Sequence, residues 1–446
     1  MSKSIKSFLS NINLIELDNW SVQYLFNTSF SYNDNYKLVK IGSFLRRNKT
    51  NIDILDNNNY KRVTIKINNG GIFLRDIKKG IDIGTKKQFL IKEGQFIVSK
   101  IDARNGAFGV IPTELDDAII TGNFWTFDVD YSLINPHFLS LITTTKEFIL
   151  FCANASNGTT NRHYLQEEAF LNVKIPLPSL EEQNILLEKY NNKILLAQKQ
   201  EIEAKEIEDS IEEYLFEKLG IEEIESKVKS SKLQFIESKN IDRWDIWTSS
   251  NKYKTNKYNI NLLKNIVTDK PLYGANEKGV KKITDTRYIR ITDINEDASL
   301  NNEIVSPANV DEKFLLSEND FLIARSGNTV GKTFLYKSII GRAIYAGYLV
   351  KYTLDIDKVI PEYLLYFSKS LYYKNWIENN QRVSGQPNIN GQEFLYSPII
   401  LPPLNIQKII VKEITKRKAK IKQLKQEAIK NRENAIKEFE EEIFTK

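Results

Sequence analysis

Apolar and small residues recur at alternating spacings of three and four along residues 179–220: Leu187, Tyr190, Ile194, Ala197, Ala204, Ile211 and Leu215, with Glu201 and Glu208 as gaps in the stripe. This is heptad spacing, and it predicts one long helix with a coiled-coil seam. The stretch has no Pro and no internal Gly; Pro176 and Pro178 precede it, Ser179 with Glu182 three residues on is suited to cap it, and Gly220 ends it. At 1.5 Å per residue such a helix spans roughly 60 Å. Residues 404–446 repeat the pattern with Ile410, Ile414, Ile421, Leu424, Ala428 and Ala435, interrupted by Arg417 and Asn431, again after a proline pair, Pro402 and Pro403. The first stretch holds 5 Lys against 11 Asp and Glu, the second 12 Lys and Arg against 7 Glu. Seams of similar length and opposite charge are expected to pair, antiparallel and within one chain, because a whole domain separates them.

The rest of the chain is also said twice. Asp18-Asn19-Trp20 is echoed by Asp242-Arg243-Trp244, and LIKEGQFIVSKIDARNG at 90–106 by LLSENDFLIARSG at 315–327. AIITGNFWTFDVDYSLINPHFLSLI at 118–142 returns as AIYAGYLVKYTLDIDKVIPEYLLYF at 343–367, ASNGTTNRHYLQEEAF at 155–170 as RVSGQPNINGQEF at 382–394, and VKIPLPSLEEQ at 173–183 as PIILPPLNIQ at 398–407. Five blocks in the same order, at offsets between about 221 and 225 residues, mark an internal duplication. Phe96-Ile97-Val98 and Phe321-Leu322-Ile323 have the look of buried strands, and the runs opened by Pro136 and Pro361 of helices with Pro at the first position. The expected fold is α+β, with two similar globular domains at 1–178 and 221–403 joined by long antiparallel coiled-coil helices at 179–220 and 404–446, giving a pseudo-two-fold internal repeat. Two like surfaces at fixed separation suit a long regular ligand such as duplex DNA.

Composition narrows the chemistry. The chain is 446 residues, 41% apolar and 27% charged, with a net charge of +6, which permits nucleic-acid binding without demanding it. With one Cys (Cys152) and two His (His137, His163), neither a disulfide framework nor a zinc site is expected. No apolar run approaches the roughly 18 residues of a membrane span, and the N-terminal MSKSIKSFLSNINL has no apolar signal core, so a cytoplasmic protein with no membrane partner is expected. GNTVGKT at 327–333 has three residues between its glycines where a phosphate-binding loop needs four, and Ser326 stands where its first Gly belongs. There is no glycine-rich fingerprint for S-adenosylmethionine, and Asn135-Pro136-His137-Phe138 lacks the second proline of an amino-methyltransferase motif. Catalysis by this chain is therefore not expected.

The segments SKIDARNGAFGVIP at 99–112, SNGTTNRHYLQEEAFLNVKIPLPSLEEQ at 156–183, YIRITDI at 288–294, ARSGNTVGKT at 324–333 and SGQPNINGQEF at 384–394 together make the chain resemble the specificity subunits of type I restriction–modification systems, over nearly its whole length. The departure is Asn405-Ile406-Gln407, where the first half has Glu181-Glu182-Gln183. The resemblance implies a phage-defence complex of bacteria in which each globular half is a target-recognition domain reading one part of a split DNA sequence, and the helix pair is a spacer on which two methyltransferase subunits assemble and restriction subunits join. It implies no cofactor on this chain, S-adenosylmethionine on the methyltransferase, and ATP with Mg on the restriction subunit. The helix length bounds the half-site separation at about 18 base pairs.

A DNA reader needs cations for phosphates and forked donors or acceptors for base edges, each good base pairing adding about 1–3 kcal/mol of discrimination. The repeated loops supply Lys100, Arg104, Asn105, Thr159, Thr160, Asn161 and Arg162 in the first half, and Arg287, Arg290, Arg325, Ser326, Asn328, Lys332, Arg382, Gln386 and Asn388 in the second. Residues shared by both halves also suit a purely structural role, Asn390-x-x-Glu393 as a helix cap among them. Halves that read different bases should differ where they read, which brings in Lys61, Arg62, Lys66 and Arg75 from the first half and Tyr273, Asn276, Lys278, Lys281 and Lys282 from the second. Lys199, Lys205, Lys420 and Lys422 could line DNA along the helices, whose free faces suit methyltransferase subunits. The rival readings are a coiled-coil scaffold that touches no DNA, an ATPase acting through Lys332, and the specificity subunit of a related defence system.

Overall fold

The computed structural model describes residues 32–157, 164–224, 252–281, 283–382 and 386–444. The chain forms two compact units, Met1–Gln200 with Gln426–Lys446, and Glu201–Lys425. The division falls inside both long helices, at Gln200 and at Lys425, so each unit contains part of each helix.

In the first unit the strands of the two larger sheets are β1 (Leu45–Asn48), β2 (Asn51–Asp53), β3 (Asn59–Ile65), β4 (Ile72–Lys79), β5 (Lys87–Leu90), β6 (Phe96–Ser99), β7 (Phe108–Val110), β8 (Ile119–Ile120) and β9 (Phe124–Val129). The helices are α1 (Pro136–Thr143), α2 (Lys146–Asn154), α3 (Glu167–Asn172) and the long α4 (Leu180–Leu219), which continues into the second unit. A four-stranded sheet of order β1-β9-β6-β7 carries the core, and the segment between β1 and β6 builds most of a five-stranded sheet of order β2-β5-β8-β3-β4. In the second unit β10 (Leu272–Tyr273), β14 (Phe321–Ala324), β15 (Thr333–Leu335) and β17 (Leu349–Tyr352) form the same sheet in the same order, β10-β17-β14-β15. Its insert holds β11 (Gly279–Val280), β12 (Arg287–Ile289) and β13 (Ser306–Pro307), with β16 (Ala343–Tyr345) beyond the hairpin; β11 pairs β13 antiparallel and β12 pairs β16 parallel. The helices here are α5 (Pro361–Phe367), α6 (Leu371–Asn380), α7 (Gly391–Phe394) and the long α8 (Leu404–Ile443), which ends in the first unit.

The duplication is exact in register across the shared sheet. Phe96 pairs with Phe127 and with Val110, and Phe321 pairs with Tyr352 and with Leu335, every partner 225 residues on. β6 and β14 are buried along their whole length, as unbroken apolar runs require. Phe96, Phe127, Phe138, Phe148, Phe151 and Phe170 fill the first core with Leu186 and Leu187 of α4 and Phe439 and Ile443 of α8. The second core gathers Phe321, Tyr352, Tyr363, Phe367 and Phe394 with Leu215 and Leu219 of α4 and Ile410 and Ile414 of α8.

Ser179 and Glu182 make the expected reciprocal cap on α4, Glu182 N–H donating to Ser179 Oγ and Ser179 N–H to Glu182 Oε2, and Gly220 ends the helix at φ 63°. Asn390 and Glu393 cap α7 in the same way. Within each unit α4 and α8 run antiparallel. In the first, Lys193 meets Glu438, and Gln200 bonds both Glu427 and Asn431. In the second, Glu208 meets Lys425, and the Arg417 guanidinium donates to the carbonyl and hydroxyl of Ser210. The interruptions at Arg417 and Asn431 are thus filled by polar contacts across the seam. Ala197 and Ala204 are fully buried in it.

Each long helix is tied, near its first turn, to the unit in which it starts by one fully buried glutamine. Gln183 Oε1 accepts Asn135 N–H at 2.8 Å, and its Nε2 donates to the carbonyls of Leu133 and Pro178. Gln407 repeats every bond: its Oε1 accepts Ile360 N–H at 2.8 Å, and its Nε2 donates to the carbonyls of Lys358 and Pro402. This explains why the glutamine alone survives in both copies of a segment that otherwise reads Glu181-Glu182 against Asn405-Ile406.

Candidate nucleic-acid interface

The duplication sets one cation at the same place in each unit. Lys100 directly follows β6; its N–H donates to Asn123 O at 3.0 Å and its carbonyl accepts Leu165 N–H at 2.9 Å. Arg325 directly follows β14; its N–H donates to Tyr348 O at 3.0 Å and its carbonyl accepts Ile389 N–H at 3.0 Å. Both side chains lie against an aromatic ring. The Lys100 ammonium is 5.5 Å from the Trp125 ring centre, and the Arg325 guanidinium 5.1 Å from that of Tyr273.

Lys100 is joined by two cations that sequence reasoning missed, Arg47 on β1 and the adjacent Lys49. Burial, then the positive charge of Arg47 and, more weakly, of Lys49, hold the Lys100 ammonium below its usual value, against an opposing pull from Glu167. The Arg47 guanidinium bridges the carbonyls of Asn48 and Thr126, with its Nε 3.5 Å from Glu167. The only signal for this pair was the run Arg46-Arg47-Asn48-Lys49 at the start of the shared sheet. Arg104 and Asn105 lie in the turn after β6, where Asn105 is exposed. Thr159, Thr160, Asn161, Arg162 and Lys282 lie outside the described residues, as do the Asp18-Asn19-Trp20 echo and Asp242-Arg243-Trp244.

Around Arg325, the Ser326 hydroxyl is buried and makes no hydrogen bond among the described residues, while the Ser326 and Asn388 backbones bridge. Gly327 turns at φ 73° and donates to Pro387 O; Asn328 and Gln386 are exposed beside it, and Asn388 O accepts from Arg382 N–H. GNTVGKT thus closes a strand-to-strand hairpin, β14 to β15, through one 3-10 turn at Gly327–Thr329. A phosphate-binding loop leads into a helix, which is absent here.

Other predicted residues are committed within the fold. Arg62 forms a two-pronged bond to Asp76 at 2.7 and 2.6 Å, which raises the guanidinium and lowers the carboxyl. Arg290 likewise forks onto the buried Asp293, at 3.0 and 2.6 Å. Lys61 donates to the carbonyls of Glu114 and Asp116, Arg287 to those of Asn301 and Glu303, and Arg382 reaches Glu393. Lys332 is held by Glu296 at 2.7 Å. Lys66 covers the Phe73 ring. Arg75 on β4, Tyr273 and Lys281 are exposed.

Near Lys332, burial pulls the Lys369 ammonium from 10.5 to about 8; Lys418, Lys332 and Lys374 press the same way and Glu296 opposes. The folded state therefore binds fewer protons than the unfolded chain between those values, and its stability rises with pH across that window. Relative to Lys369→Met, the natural protein should gain at most about 3 kcal/mol between pH 8 and 10.5, as measured by urea unfolding at each pH. Tyrosines titrating in the same range cancel in the difference.

A family model described as the type I restriction modification DNA specificity domain matches residues 33–213 and 268–431, one segment for each copy of the repeat. No curated protein sequence matches the chain. Among solved structures, a chain described under complex assembly and conformational transition of the type I R-M system is similar over 92% of this chain and 97% of its own, at 15% identity and a TM-score of 0.59. The HsdS subunit from Thermoanaerobacter tengcongensis is similar over 92% of this chain and 98% of its own, at 15% identity and a TM-score of 0.48. The first of these superpositions shows a common fold.

Proposed function

This chain belongs to the type I restriction–modification DNA specificity family, and on that premise we propose that its two compact units each read one part of a divided duplex-DNA target. It is the DNA-recognition subunit of such a system. The observation that carries the two-part reading is the pairing of sameness with difference: one four-stranded sheet, one register and one ring-backed cation in both units, with inserts that do not share sheet order. In this reading the common part grips phosphates, which look alike at both half-sites, and the inserts meet base edges, which do not.

Lys100 with Arg47 and Lys49, and Arg325 with Asn328 and Gln386, are the proposed backbone contacts. Arg75 and Lys281, exposed on the two inserts, are the proposed base or groove contacts. The chemistry is assigned to the partners: two methyltransferase subunits carrying S-adenosylmethionine, docked on outward faces of α4 and α8, and restriction subunits carrying ATP and Mg. This chain contributes no catalytic step and acts in the cytoplasm. No described helix is long and apolar enough to cross a membrane.

Co-expression with the neighbouring methyltransferase, followed by selection of bound duplexes from a random library, tests the proposal. An enriched motif in two short parts around an unread stretch of fixed length is expected. A single continuous motif would sink the two-part reading, and a stable complex that enriches nothing would favour a scaffold.

A further inference from the structure

The two inserts are anchored at neighbouring places on the shared core, but by different chemistry. In the first unit the tip of the β3–β4 hairpin turns through Asn68 and Asn69, at φ 57° and 55°. Asn68 N–H donates to Asn105 O at 2.6 Å, Asn69 N–H to Gly106 O at 3.0 Å, and Asn69 Nδ2 to Thr144 O at 3.4 Å. Every one of these bonds is uncharged.

In the second unit Val330 and Gly331 stand at the places of Asn105 and Gly106, and lysines follow at the next position and at the place of Thr144. Ser99 N–H donates to Ala107 O, and 225 residues on Ala324 N–H donates to Lys332 O, so Lys332 occupies the place of Ala107. By the same offset Lys369 occupies the place of Thr144. Against them lies a loop of the insert that is closed on itself. Ile294 bridges Leu300, Asn295 N–H donates to Ser299 O, and the Ser299 hydroxyl and N–H both donate to Asp297. Ala298 takes φ 66° to allow it.

The shorter bonds from the core to this loop come from one side chain. Lys332 Nζ donates to Ile294 O at 3.2 Å and meets Glu296 Oε1 at 2.7 Å. The Lys332 side chain is only 15% exposed, whereas that of Glu296 is 88% exposed. A recessed cation of the core thus grips a carboxylate presented by the loop. Lys418 of α8 adds a long bond, 3.4 Å, to Asp297 O. Glu296 is also the carboxylate whose pull counters the mutual repulsion of Lys332, Lys369, Lys374 and Lys418.

We infer that Lys332 and Glu296 are a positioning pair, fixing the insert of the second unit, and so the bases that unit reads, next to the place where neutral bonds fix the insert of the first. The assignment rests on the reading that the inserts meet base edges. It gives Lys332 a role distinct from touching DNA or ATP, and it makes the second insert the salt-sensitive one, because charge holds it.

The test uses the full chain, with and without its methyltransferase partner, as Glu296→Gln and Lys332→Met. In the complex, selection from the random library should show discrimination at one half-site falling about tenfold, the worth of one good base contact, with the other half-site unchanged. In the free chain, amide exchange at residues 294–300 should quicken in both variants, and quicken further with added salt in the natural protein, while residues 66–71 stay as they were. Unchanged exchange at 294–300, or equal loss at both half-sites, would overturn the pairing role; quickened exchange with intact discrimination would overturn its link to reading. If the natural complex selects no two-part motif, the failure lies in the base-reading premise, and exchange at 294–300 still decides whether the pair holds the loop.

Discussion

Replacing Gln407 with leucine should destabilise the second unit by about 3 kcal/mol, and Gln183→Leu should cost the first unit a similar amount. Leucine keeps most of the volume of the side chain, so little of the loss would come from packing. The cost lies in what is left behind. Each glutamine is fully buried and satisfies one backbone N–H and two backbone carbonyls. Orphaning a buried polar group costs roughly 1–3 kcal/mol, and with three left unpaired, partial relaxation still leaves a total near the upper figure. The exposed cap offers a contrast. Glu182→Ala removes a carboxylate that bonds only Ser179 at the surface, and about 1 kcal/mol or less is expected. Denaturant unfolding of the three variants checks the order. A loss below 1 kcal/mol for either glutamine would mean that water reaches these groups and that the tie between long helix and unit is loose.

How much of this could be foreseen differs by scale. The long helices, their caps and the duplication were legible because each rests on local chemistry: heptad spacing, Pro before and Gly after, Ser and Glu three apart. The buried strands at Phe96 and Phe321 were legible as unbroken apolar runs. The two glutamines were visible as a repeated letter, but their role was not, since it depends on one amide and one carbonyl brought from 133–135 and from 358–360. The inserts were legible only as mismatch, and the sheet order within them depends on non-local pairing that no short pattern encodes. The cations were the hardest. Arg62 looks the same in sequence whether it faces solvent or Asp76, and which it does is decided by the bulge between Arg62 and Val63. Arg290 and Asp293, three apart beside a 3-10 turn, held a clue in their spacing, yet from sequence alone Arg290 stands among the candidate DNA contacts.

That sorting of cations carries the second large effect. Arg325→Ala and Lys100→Ala should each weaken duplex binding by the complex about 10- to 100-fold at physiological salt, and each should lower the slope of log affinity against log salt by about 1. The reason is geometric. Both residues sit at corresponding places where the backbone hydrogen bonds of the two units match one for one, each is backed by an aromatic ring, and neither has a carboxylate closing it off completely. In the first unit burial, and after it the like charge of Arg47 and Lys49, hold the Lys100 ammonium low, and a phosphate would relieve that repulsion. Arg62→Ala and Arg290→Ala are the matched controls, since their forks are occupied by Asp76 and Asp293. They should cost stability and leave the salt slope alone. Titrating a fixed duplex at several salt concentrations separates the two classes: a slope that falls in the controls and holds in the Lys100 and Arg325 variants would place the phosphate grip on the inserts, and the shared sheet would then be scaffold only.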